Sequence, residues 1–165
     1  MLPAHLNPMM RVFTILLAED DPDDVHLILD AFAEAKLNVE VKVVSDGEEA
    51  VNYLAGSGTY ANREQNPPPS LFLLDLNMPR RNGFEVLEWV RSQRSLKRLP
   101  VVVLSSSTQG PDVNHAYSLG ANSYLVKVPQ FRELVDRIRV IYAYWVERQT
   151  EWPDVSDADA ANILA

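Results

Sequence analysis

Two runs, Leu71–Leu74 (LFLL) and Val101–Leu104 (VVVL), are apolar at every position, so neither has a face that could meet water. Strands of this kind need cover on both sides, which a parallel sheet flanked by helices provides. The rest of the chain alternates accordingly. The strand VFTILLA, ending at Ala18, is followed by Val25, Ile28, Leu29 and Phe32 at helical spacing, with Asp21 as a helix cap and Pro22 in the first turn. VEVKVV (39–44) precedes a short helix opened by Asp46-Gly47 and carrying Val51 and Leu54. After LFLL, Asn82-Gly83 introduces a helix with Val86, Leu87 and Val90 inward. After VVVL a weak helix spans 111–119, with Gly120 as its C-cap. SYLV is a fifth strand. The last helix places Phe131, Leu134, Val135, Ile138, Ile141, Tyr142 and Trp145 on one broad face. Strands separated by helices imply right-handed crossovers and a doubly wound, five-stranded parallel α/β sheet with helices on both faces.

Composition narrows the function. At 165 residues and 47% hydrophobic, the chain can bury one real core. We expect one domain over 11–148, an N-terminal tail over 1–10 and a C-terminal tail or dimerisation arm over 149–165. Met9 and Met10 make a later translation start plausible. The net charge of −8 argues against non-specific attraction to DNA or anionic membrane. There is no cysteine, which excludes disulfides and thiolate metal sites. MLPAHLNPMM has neither a basic n-region nor an apolar h-region, and no run approaches the roughly 18 apolar residues of a membrane span. A cytoplasmic protein is expected.

Polar groups sit where the strands stop: Glu19 and Asp20, Asp75, Ser105 and Lys127. In a parallel sheet these ends share one edge, outside which ligands bind. Like charges crowded there require a cation or chemical modification. Hard oxygen donors without His or Cys select a Mg²⁺-like ion. Asp20 and Asp75 are read as direct ligands, Glu19 as a ligand through water, and the Asn77 backbone carbonyl as completing the protein's share. A metal-bound, partly desolvated carboxylate can attack a phosphoryl group in line. The phosphoryl oxygens then need Lys127 as a point charge and Ser105 as a hydroxyl partner.

LLAEDDPDD, LLDLNMPRRNG, LPVVVLSSS and GANSYLVK, in this order and spacing, resemble the receiver (response-regulator) domain of two-component signalling over about residues 11–148. The resemblance implies the flavodoxin-like strand order 2-1-3-4-5; the chemotaxis receiver is itself a standard example of that order. It also implies Asp75 as phosphoacceptor, Glu19 and Asp20 as the acidic pair, Ser105 as the switch hydroxyl, Tyr124 as the aromatic that reports it, and Lys127 as the phosphate lysine. By the same analogy Ser107 tunes hydrolysis. The chain departs from the pattern at Val128, where receivers usually carry proline, often in a cis peptide. A non-proline cis bond costs about 2.5–4 kcal/mol against about 0.5–1 for X–Pro. The Lys127–Val128 bond is therefore expected trans, with the loop carrying Lys127 re-aimed.

The resemblance implies a stand-alone response regulator: it takes a phosphoryl group from a histidine kinase and passes the signal to a partner protein, a phosphorelay or its own dimerisation. The long loop before the third strand and the extended aromatic last helix are similar to receivers paired with phytochrome kinases. A homodimer through Tyr142, Tyr144, Trp145 and Trp152 is expected, against the alternative that these aromatics fold back on the domain. Other readings are weaker. Asp21, Asp23 and Asp24 read as helix-capping carboxylates, and Tyr124 could be ordinary strand packing. His5, His26 and His115 show no ligand spacing. Trp89 lies off its helix's inward stripe. Ser105 with His115 lacks the GxSxG elbow of a hydrolase, and Asp157 and Asp159 lack the rest of a calcium loop. An aspartate phosphatase would need an acid where Asn77 stands. A flavodoxin-type module would need a hydroxyl- and glycine-rich loop where Glu19-Asp20-Asp21 stand. The alternative that remains is a phosphorylation-independent receiver-like binding module.

Overall fold

The computed structural model describes residues 12–147. Trp152 and both expected tails lie outside the described residues. Five strands, β1 (Phe13–Ala18), β2 (Val39–Val44), β3 (Leu71–Leu74), β4 (Val101–Ser105) and β5 (Ser123–Val126), form one parallel sheet in the order β2-β1-β3-β4-β5. Helices α1 (Pro22–Ala35), α2 (Gly47–Ala55), α3 (Gly83–Ser92), α4 (Gly110–Ser118) and α5 (Phe131–Tyr142) make the crossovers. The expected doubly wound sheet is what forms.

The strand period of two sorts the apolar runs into two cores. Leu16, Phe72, Leu74, Val101 and Val103 pack with α2, α3 and α4, whereas Ile15, Leu17, Leu71, Leu73, Val102 and Leu104 pack with α1 and α5. Every residue of β3 and β4 is buried, which is why LFLL and VVVL carry no polar alternation. On α1, Ile28 and Phe32 are buried with Ala31 and Ala35, and Val25 and Leu29 are half-buried. Trp89 is half-buried against the α2–α3–α4 core.

Caps follow the sequence. Asp21 accepts the Asp23 N–H, Asp46 accepts that of Glu49, and Asn82 forms a capping box with Glu85. The long loop after α2 is tied down by Arg63, whose guanidinium donates to the carbonyls of Tyr53, Leu54 and Asn66. No helix among the described residues is long and apolar enough to cross a membrane.

The last helix departs from the expectation in two ways. Phe131 is 39% exposed rather than inward, because it opens α5 a full turn before Leu134, the first buried residue. The α-helix also stops at Tyr142, and a π turn over Ala143–Glu147 continues it. The inward stripe nonetheless continues: Val146 is buried, Tyr142 and Trp145 are half-buried against the core, and Tyr144 is 65% exposed.

Gly83 carries a demand that reaches the site. A Cβ added there would collide with the carbonyl oxygen of Asp75, and the Gly83 N–H donates to Leu76 O at 2.9 Å. Rigid backbone on both sides leaves no cheap relaxation. Gly83→Ala is expected to destabilise the protein by about 1–3 kcal/mol. Urea denaturation checks this, and an unchanged midpoint would show that the loop after β3 yields.

Candidate functional site

The sheet's register delivers the strand-end residues to one rim. Ala18 pairs with Leu74, Leu74 with Val103, and Ser105 with Val126. The ladder continues one residue further: Glu19 N–H donates to Val44 O at 3.0 Å, Asp75 N–H to Ala18 O at 3.0 Å, and Lys127 N–H to Ser105 O at 2.8 Å. Main-chain pairing therefore fixes where these side chains start. Glu19, Asp20 and Asp75 bring one carboxylate oxygen each to within 4.8 Å of one another. Glu19 and Asp75 are buried, while Asp20 is exposed.

Burial raises the pKa of Asp75 above the usual aspartate range. Lys127 and the N–H groups of Asn77 and Leu76 pull it down, and Asp20 pushes it up. Glu19 is raised for the same leading reason, despite accepting hydrogen bonds from Lys127 and from the Asp21 N–H. Three hard oxygen donors, two of them desolvated, fit a divalent cation: positive charge between them would relieve repulsion that water cannot reach.

Lys127 lies in the cluster despite Val128, so the loop delivers its lysine to the rim. The described residues contain no cis peptide, as expected for Lys127–Val128. Its Nζ stands 2.6 Å from Glu19 Oε2, 2.7 Å from Asp24 Oδ2 and 3.8 Å from Asp75 Oδ2. Burial alone would lower the lysine's pKa; hydrogen bonds to Asp24 and Glu19, with Asp75 nearby, outweigh it and raise the value. Asp24 was expected to serve only the helix end. The structure places it in the first turn of α1, against Lys127. The signal available in sequence was its position just after the acidic pair, four residues beyond Asp20.

Ser105 is fully buried, and its Oγ accepts the Ser107 N–H at 3.1 Å. The Tyr124 hydroxyl donates to the Ser107 carbonyl at 3.0 Å. Ser105 and Tyr124 are thus joined through the two sides of one residue, Ser107, whose own hydroxyl donates to Asp112 at 2.5 Å. Nothing in the run Ser105-Ser106-Ser107 marks Ser107 as that junction. His115 is exposed and stacks on Phe84 at 4.5 Å between ring centroids, and His26 is also exposed. Neither reaches the rim cluster.

A second feature lies along β5 and α5. A groove of about 580 Å³ is lined by Leu125, Arg137, Val140, Ile141, Tyr144 and Trp145. Val140 and Tyr144 are 68% and 65% exposed, while Tyr142 and Trp145 pack partly on their own core.

Residues 15–139 match the family model of the response regulator receiver domain. The chain is similar to Response regulator Rcp1 of Synechocystis sp., 37% identical over 136 residues that span 82% of this chain and 90% of Rcp1. Among solved structures it resembles the phosphorylated cyanobacterial phytochrome response regulator RcpA (40% identity, TM-score 0.77, covering 85% of this chain and 98% of that one). It also resembles the Mn²⁺-bound form of Rcp1 (36% identity, TM-score 0.73, covering 84% and 97%).

The electrostatics of the rim set a sign for stability. Glu19 and Asp75 hold their protons more tightly folded than unfolded, so their contribution is full on the acid side of their titration and is lost as pH rises through the raised folded values. Asp75→Asn removes the buried charge. In EDTA near neutral pH it should stabilise the protein by about 1–2 kcal/mol, with a flatter pH dependence than wild type. Thermal unfolding across pH checks this, and a destabilised variant would show that Lys127 already compensates Asp75 fully.

Proposed function

Because this chain belongs to the response regulator receiver domain family, we propose that it accepts a phosphoryl group from a histidine kinase onto Asp75, in the cytoplasm, and signals through a conformational switch. The observation that carries the assignment is the placement of Asp75: buried, at the tip of β3, beside two further carboxylates and 3.8 Å from the Lys127 ammonium. The chain acts as a signalling protein that catalyses only its own phosphotransfer and dephosphorylation.

An Asp75 carboxylate oxygen attacks the phosphorus of a phosphohistidine. The O–P bond forms as the P–N bond breaks, and the departing imidazole takes a proton from solvent. The N–H groups of Leu76 and Asn77 hold the carboxylate in place during attack. Lys127 supplies positive charge to the transferred oxygens. Asp20, Asp75 and the Asn77 carbonyl, with Glu19 through water, would hold Mg²⁺. When bound, that ion supplies charge neutralisation between the carboxylates and the incoming group. The acidic donor set supports this assignment, and the relative Rcp1 has a Mn²⁺-bound form.

The Ser105 hydroxyl accepts from Ser107 and keeps its own proton to donate to a phosphoryl oxygen. Drawing Ser105 toward the phosphoryl group pulls Ser107 with it through the Ser107 N–H, and the Tyr124 hydroxyl is bonded to the carbonyl on the other side of that residue. Phosphorylation is thereby coupled to the β5 rotamer. Moving such a switch from 1:99 to 99:1 requires about 5.5 kcal/mol of preference for the active state.

The relatives support a narrower reading. RcpA is a phytochrome response regulator spanned almost completely by this chain, so the kinase partner is of phytochrome type and the domain works as a stand-alone regulator. Radiolabelled acetyl phosphate with Mg²⁺ should label wild type and not Asp75→Asn. A red-light-sensing kinase should transfer phosphate faster than an unrelated one. Label retained by Asp75→Asn would overturn the assignment.

The groove beside α5 supports a homodimer, with exposed Val140 and Tyr144 as contacts in place of the half-buried Tyr142 and Trp145. Tyr144→Asp combined with Val140→Asp should weaken self-association at least about tenfold. Sedimentation equilibrium measures this, and a wild-type monomer at micromolar concentration would remove the dimer.

A further inference from the structure

Asp24 is the rim carboxylate that the three-carboxylate cluster leaves out, and it reaches Lys127 from a different element, the first turn of α1. An ammonium has three N–H donors. Two are met by Glu19 at 2.6 Å and Asp24 at 2.7 Å, leaving one for the side where Asp75 stands. At 3.8 Å that last distance is too long for a hydrogen bond. It is the gap that an oxygen carried on Asp75 would close.

Two features leave the lysine dependent on its ion pairs as well as on packing. A cavity of about 30 Å³ adjoins its stem, walled by Asp24, Leu27, Ile28, Leu104, Val128 and Leu134. The residue after the lysine is Val128, and the proline comes one position later as Pro129, so no ring is joined directly to the Lys127 peptide. Glu19 is a divided partner, since it also faces Asp20 and Asp75. Asp24 stands outside that cluster, and its partner is the lysine.

We propose that Asp24 is a positioning residue that holds the Lys127 ammonium within reach of the phosphoryl group on Asp75. The inference rests on the phosphoacceptor reading above. It carries a sign opposite to simple electrostatics. If Asp24 acted only as one more negative charge near an incoming anion, its removal would tighten anion binding. If it holds the lysine, removal weakens binding, because the charge that meets the phosphoryl oxygens is free to swing into the adjoining space.

The test uses the full chain with Mg²⁺ and beryllofluoride, a phosphoryl mimic, titrated by calorimetry. Asp24→Ala and Asp24→Asn should each bind beryllofluoride about tenfold more weakly, and Asp24→Glu should recover most of the loss. In a Lys127→Ala background, Asp24→Ala should have no further effect. The Lys127 side-chain nitrogen signal in NMR should be sharp at neutral pH in wild type and broadened by water exchange in Asp24→Ala. Equal or tighter beryllofluoride binding by Asp24→Ala would overturn the proposal, as would an undiminished loss in the Lys127→Ala background. Failure of the wild-type chain to bind beryllofluoride, or equal binding by Asp75→Asn, would instead sink the phosphoacceptor reading and this inference with it.

Discussion

Parallel register forces Glu19 and Asp75 to neighbouring strand tips, where the main chain pins both and the side chains are nearly shut off from water. Glu19, Asp24 and Asp75 face one ammonium at this rim and Asp20 stands beside them, so the formal charge of the four carboxylates leaves a surplus of three negatives over Lys127 when all are ionised. At short range and low dielectric such a surplus is expensive. It is also the reason a doubly charged cation and a chemically altered aspartate belong to the same account. Phosphoryl transfer would add negative charge to a place already overloaded with it, and it becomes tolerable only where positive charge is fixed in advance.

That fixed charge and the proposed switch tyrosine share one stretch of chain, β5 and the residue after it. On β5, Tyr124 packs toward the α2–α3–α4 core and Leu125 toward the α1–α5 core and the outer groove, while Lys127 follows the strand's last residue. A single edge strand therefore touches the rim, the Ser107 junction and the exposed α5 face. Displacing the Ser107 peptide changes what Tyr124 can bond to, and a changed Tyr124 alters the strand on which the groove is built. On the proposed reading, short covalent distances along β5, rather than a long path through the core, would connect phosphate to surface.

Much of this was legible in the sequence because strand ends are legible. An apolar run that stops at a carboxylate states both where the sheet ends and what stands there, so Glu19, Asp20, Asp75, Ser105 and Lys127 could be named before any coordinates. What escaped depends on geometry that no local pattern encodes. Asp24 looked like one more acid at a helix N-terminus; its pairing with a lysine 103 residues away follows from how α1 crosses the sheet edge. Ser107 was one of three consecutive serines, and its role as a junction comes from the path of the loop after β4. Helical periodicity continues past Tyr142, and Tyr142 and Trp145 lie against the core as their spacing implies, although the backbone there is a π turn that no local pattern announces. Phe131 fit the stripe by spacing, yet the helix begins before it reaches the core.

Val128 shows why a departure from a family pattern need not displace the chemistry. A proline ring would fix the loop through the backbone, independent of charge. Here the backbone is ordinary trans peptide, and the lysine's place is set by the Ser105 ladder bond at its N–H and by carboxylates at its Nζ. A position held by ion pairs is softer than one held by a ring, and it depends on the ionisation and engagement of the groups that hold it. Were Glu19 drawn toward a cation, its share of the lysine would weaken and the balance would pass to Asp24 and to whatever Asp75 carried. On the proposed reading the lysine's aim would be coupled to occupancy of the acidic cluster, a dependence that a backbone-fixed lysine would not have.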